Sequence, residues 1–171
     1  RGFGRSAQPW DGYDYDTLSD DLAAVIEYTQ AQNAIIVGFS MGGGEVARYM
    51  SRHGGKSVAK AALVSSIVPF RLKTANNPSG TEQAAFDETA QKINEDRAKF
   101  FTSFFRAFFG ADTPGNVISD ELLDNMRNIA MQASLKATLA CLKSFSSTDF
   151  RGDLAHFKVP TLIIHGTEDK T

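Results

Sequence analysis

Apolar residues recur along this chain in two rhythms. After an opening loop bearing glycine and proline (Arg1 to Gly12), Leu18, Leu22, Val25, Ile26 and Thr29 fall at spacings that draw one face of a helix. Thr17 and Asp20 form a capping pattern at its start. Ala34-Ile35-Ile36-Val37 is instead an unbroken, β-branched run bounded by glycine, which predicts a strand covered on both faces. Val46, Tyr49, Met50 and His53 return to the helical spacing, and Gly54-Gly55 closes that helix. Ala61-Ala62-Leu63-Val64 predicts a second buried strand, and Thr161-Leu162-Ile163-Ile164, entered through Pro160, a third.

Alternation of buried strands with helices argues for an α/β fold, a parallel sheet with helices on both faces. About 90 residues separate the second and third strands, far more than an ordinary crossover needs. The segment from 70 to 133 is mostly helical in pattern, with a turn at Asp112-Thr113-Pro114-Gly115. It is expected to form a helical cap inserted into one partial domain whose core is 1–69 and 134–171. Inside the cap, Phe100, Phe101, Phe104, Phe105, Phe108 and Phe109 make two adjacent i, i+4 stripes. Such stripes either pack a helix onto its neighbours or line an apolar pocket, and spacing does not divide the six between these roles.

Composition narrows the classes of function. Charged residues make up 22% and the net charge is −2, so there is no basic footprint for nucleic acid and no polybasic membrane signal. No apolar run approaches the roughly 18 residues of a spanning helix. Cys141 is the single cysteine, which rules out an internal disulfide, favours a reducing, cytoplasmic setting, and reads as a small buried hydrophobe among Leu139, Ala140 and Leu142. Three histidines and one cysteine show no metal-ligand spacing, and neither a metal nor an organic cofactor is expected.

The chemistry concentrates at Val37-Gly38-Phe39-Ser40-Met41-Gly42-Gly43-Gly44, between a strand and a helix. Gly38, Ser40 and Gly42 spell G-x-S-x-G, the nucleophile elbow. A serine forced into a tight strand-to-helix turn has a strained backbone, and side chains two residues either side of it would collide; glycine at both places removes that clash. The turn exposes the Ser40 hydroxyl at the carboxyl end of the sheet, where the Met41 backbone N–H can donate to a developing oxyanion. A glycine-rich turn with an idle serine is the alternative. Two nucleotide-like patterns lack their context: Gly2-Phe3-Gly4-Arg5-Ser6-Ala7 is followed by Pro9 and Trp10, and Gly54-Gly55-Lys56-Ser57 follows a helix.

The segment from Gly38 through Tyr49, with its run Gly42-Gly43-Gly44-Glu45-Val46-Ala47-Arg48, closely resembles the elbow of the cofactor-free haloperoxidases, perhydrolases and arylesterases of the α/β-hydrolase superfamily. Arg1-Gly2-Phe3-Gly4-Arg5-Ser6 with Pro9-Trp10 resembles the loop after that fold's fourth strand. Asp149-Phe150, and Val159-Pro160-Thr161-Leu162 through His165-Gly166-Thr167-Glu168-Asp169, resemble the segment carrying the family's catalytic acid. The resemblance implies Ser40 as nucleophile, Met41 as oxyanion donor and Asp169 as the triad acid, with Glu168 as the competing carboxylate. It implies a small-molecule ester or carboxylic acid as substrate, with hydrogen peroxide as a second acyl acceptor. Phe39, Val68, Phe104 and Phe108 are candidate pocket residues. A homo-oligomer of the complete protein stays open.

The fold's order of Ser, then Asp, then His requires a histidine after Asp169, where only Lys170 and Thr171 follow. His53, His156 and His165 read as structural. The chain, which opens on Arg1 rather than Met, is therefore expected to be an internal piece, inactive by itself. A lactone or carbon–carbon bond hydrolase remains an alternative with the same nucleophile, and a non-catalytic binding protein on the same fold is an alternative of another class.

Overall fold

The first helix, α1 (Tyr15–Tyr28), begins three residues before the capping pattern placed it. Its cap is Asp14, whose carboxylate accepts from the Thr17 backbone N–H at 2.9 Å and from the Thr17 hydroxyl at 2.9 Å. An aspartate just ahead of the first turn satisfies an orphan N–H better than threonine does, so Thr17 becomes the capped residue. Asp20 turns away to Arg52 at 2.7 Å and His53 at 2.8 Å, and the Arg52 guanidinium holds its carboxyl below the ordinary value. The computed structural model describes residues 1–169; Lys170 and Thr171 lie outside the described residues.

From α1 the chain passes through β1 (Ala34–Phe39), α2 (Met41–Arg52) and β2 (Val58–Val64), and much later enters β3 (Thr161–Ile164). The strands form a parallel sheet in the order β1-β2-β3, as the alternating pattern predicts. Its core lies where α1 and α2 cover one face, burying Ile26, Ile36, Val46, Tyr49, Met50, Val58, Ala61 and Leu63. Ion pairs lock that layer. Arg48 pairs with both Asp16 and the buried Asp153, which also takes the Ser51 hydroxyl.

The other face departs from expectation. Ile35, Val37 and Phe39 are 65%, 62% and 55% exposed, and Leu162, Ile163 and Ile164 are exposed as well. Successive side chains of a strand point to opposite faces, and both helices packed on the sheet lie on one side. Among the described residues β1 is thus covered on one face, not two, and β3 is open.

The segment between β2 and β3 holds α3 (Gln83–Phe108), α4 (Asp120–Ala130) and α5 (Leu135–Ser147). Asp96 interrupts α3 with φ −155° and ψ 89°, and its carboxylate then caps the second half by accepting from the Lys99 N–H at 2.9 Å. Ser119 and Ser134 cap α4 and α5 in the same way. Although α5 follows the predicted cap, it packs on both sides of the boundary. Leu142 joins Phe86 and Ile93 of α3, while Phe145 also packs on the cluster around Tyr15 beneath the sheet end. Burial pushes the Cys141 thiol on α5 up to about 11, which keeps it a neutral, unreactive group near neutral pH.

Candidate active site

The carboxyl ends of the three strands lie level. Phe39 pairs with Val64, and Val64 with Ile164. Loops beginning at Ser40, Ser65 and His165 therefore leave one edge of the sheet side by side, with the outer two about 10 Å apart at two strand spacings. In open parallel sheets this is the edge at which ligands bind.

Ser40 stands at φ 49° and ψ −117°, a left-handed conformation costly for serine, directly before α2. Hydrogen bonds hold it there. Its N–H donates to Val64 O at 3.0 Å, and its carbonyl accepts from Gly43 N at 3.0 Å and Ile67 N at 3.3 Å. The hydroxyl makes no capping bond to α2. Met41 supplies the first N–H of α2, one of the four that a helix leaves without an internal partner, at its positive pole.

The glycines divide their work differently from the predicted symmetry. A Cβ on Gly38 would meet Gly42 O at 2.5 Å and Gly43 Cα at 2.6 Å, both backbone atoms. A Cβ on Gly42 would meet nothing within 4 Å. The clash is one-sided because the Gly38 Cα faces the start of α2, whereas the open side of Gly42 faces away. The two glycines that follow are the tight ones. A Cβ on Gly43 would overlap the Ser66 side chain, and one on Gly44 would come within 2.5 Å of Phe150 Cζ and 2.7 Å of Tyr15 Cε1.

Phe39 ends β1 beside Ser40, and Val68 follows Ile67 in the loop bound to the Ser40 carbonyl; Val68 N donates to Ser66 Oγ at 3.2 Å. Asp169 lies in the loop after β3, its N–H donating to Gly166 O at 3.3 Å and its carboxylate 3.8 Å from His165 Nδ1. Ser40, Met41, Phe39, Val68 and Asp169 thus gather at one sheet edge. Phe104 and Phe108 do not join them through any described ring contact or hydrogen bond. They belong to a ladder of stacked rings, Phe100 to Phe104 at 5.9 Å and Phe104 to Phe108 at 5.5 Å, on a helix that packs against α4 and α5.

No described histidine reaches Ser40 by these placements. His53 ends α2, about 20 Å along the helix from Ser40 at about 1.5 Å per residue, stacked on Tyr49 and bound to Asp20. His156 lies in the short turn Leu154–His156 that precedes β3, at the other end of the sheet. His165 sits two strands over. Sequence reasoning missed Tyr15, buried to 2% exposure under the elbow, although the apolar stripe Leu18, Leu22, Ile26 extends back to it by one step. It also missed Glu45, whose carboxyl burial raises above its ordinary value.

Comparison with known proteins accords with this geometry. Residues 1–171 match the family model of the alpha/beta hydrolase fold, and the chain belongs to that family. A Synechocystis sp. protein provisionally named a non-heme chloroperoxidase is 47% identical over 171 residues, covering 99% of this chain and 62% of the relative. A bifunctional esterase/perhydrolase of Acinetobacter calcoaceticus is 40% identical with the same coverage. The crystal structure of bromoperoxidase from Bacillus anthracis superimposes with a TM-score of 0.92 at 42% identity, over 97% of this chain and 60% of that one. The chain therefore spans about three fifths of the length of the relatives it matches. The resemblance read from the elbow and the acid segment holds. Among the described residues, no helix is long and apolar enough to cross a membrane.

Proposed function

We propose that the full-length protein is a serine hydrolase acting on carboxylic esters through an acyl-enzyme, and that it also passes the acyl group to hydrogen peroxide. The observation that carries this reading is Ser40, strained, unoccupied by any capping bond and set beside the first N–H of α2. Ser40 Oγ attacks the ester carbonyl while a histidine other than the three described takes its proton. Asp169 orients that imidazole and stabilises its cationic form. The carbonyl oxygen, now negative, is held by the Met41 N–H and a second donor from elsewhere in the protein. Collapse expels the alcohol, which leaves with the proton from the imidazolium. Water attacking the acyl-enzyme gives the acid, and hydrogen peroxide gives a peracid able to oxidise halides. The perhydrolase arm draws its support from the names of the relatives. A fluorophosphonate probe should label the full-length protein at Ser40 and leave Ser40→Ala unlabelled; labelling elsewhere, or none, would discard the reading.

The Phe ladder belongs to the same proposal as an acyl-side wall. Apolar walls discriminate chain length by about 1–3 kcal/mol per methylene. Phe104→Ala and Phe108→Ala should shift kcat/KM between short and longer acyl esters without abolishing turnover. An unchanged ratio across the ester series for both variants would leave the ladder a packing element.

A further inference from the structure

Beneath the elbow, one hydroxyl stands in a cluster otherwise built from Leu18, Ala47, Ile67 and Phe150. It belongs to Tyr15, whose ring meets the edge of Phe150 at 4.7 Å and whose OH donates to the Met41 carbonyl at 3.1 Å. Gly44 lacks the Cβ that would strike both rings, so the cluster reaches the first turn of α2 directly.

The Met41 α-carbon joins two peptide planes, and each is anchored from outside the helix. The preceding plane carries the Ser40 carbonyl, held by the Ile67 N–H. The following plane carries the Met41 carbonyl, held by Tyr15. With both planes fixed, Met41 has no free dihedral, and its N–H keeps one direction. The anchors matter because Gly42, Gly43 and Gly44 give that turn little stiffness of its own. Burial keeps the phenol protonated, so it remains a donor.

We infer that Tyr15 is a positioning residue for the oxyanion donor: by gripping the Met41 carbonyl, its hydroxyl holds the first turn of α2 in the orientation that presents the Met41 N–H to the substrate oxygen. The inference rests on the reading of Ser40 and Met41 given above. Losing an oxyanion donor outright costs about 10²–10³ in kcat, and losing its alignment should cost less.

In the full-length protein, Tyr15→Phe removes one oxygen and keeps the ring. The expected result with an activated aryl ester is a kcat about tenfold lower with KM within about twofold, this being a fraction of a lost donor. Inhibition by phenylboronic acid, whose adduct with a serine hydroxyl mimics the tetrahedral intermediate, should weaken by the same factor as kcat/KM. Leu18→Ala, a packing change in the same cluster, should lower the melting temperature while leaving boronate inhibition as it was. Three results would overturn the inference: unchanged kcat and boronate affinity in Tyr15→Phe, losses matched by Leu18→Ala, or a Tyr15→Phe protein that fails to fold and so places the hydroxyl's role in stability. Failure of the underlying reading appears separately, as turnover and boronate inhibition that survive Ser40→Ala.

Discussion

Ser40→Ala in the full-length protein is expected to lower ester turnover by about three orders of magnitude or more while leaving the unfolding transition almost where it was. The asymmetry follows from what Ser40 contributes to each. Its hydroxyl makes no capping bond, and the hydrogen bonds that hold the elbow run through its backbone N–H and carbonyl, which alanine retains. Alanine at φ 49° carries much the same strain as serine, so that cost stays in place. Catalysis, by contrast, loses the atom that forms the acyl bond. Steady-state kinetics beside a thermal melt measure both halves. A variant that kept more than about a tenth of the activity would remove Ser40 from the role.

The second large effect is on stability and separates two glycines of one motif. Gly38→Ala should destabilise the protein by about 3 kcal/mol, because its Cβ would press on the backbone of Gly42 and Gly43, which has no flexible end to yield. Gly42→Ala should be neutral or stabilising by up to about 1 kcal/mol, since it meets open space and gains helix propensity. Urea midpoints of the two variants decide the matter. Equal losses would mean that the elbow crowds both positions alike.

Much of this arrangement was legible in the residues. β3 begins and ends where the run Thr161 to Ile164 put it, because Pro160 and Gly166 punctuate it on both sides. The elbow was readable because its chemistry and its strand-to-helix context coincide in eight residues. What was misread depended on partners distant in sequence. The cap passed to Asp14 through a one-turn shift that propensity does not resolve. Burial of Ile35 and Val37 was inferred from their own apolarity, yet burial is a property of whatever lies opposite, and nothing among the described residues lies there. The crowding at Gly43 and Gly44 arises from Ser66, Tyr15 and Phe150, at separations of 23 residues or more that no motif records. The Phe stripes announced a helix correctly but not which neighbour the rings would face.

The three consecutive glycines that open α2 also bear on when the elbow can exist. A helix must nucleate before it propagates, and a first turn of glycines, each about 1 kcal/mol poorer than alanine, nucleates badly. That turn is held in place by β2 through Val64, by the loop after it through Ile67, and by α1 through Tyr15. The strain at Ser40 is thus not a local trait that a nascent chain could carry from the outset. It is imposed late, once strand pairing and helix docking are complete, so a chain that is only partly folded has a relaxed serine and no reactive one.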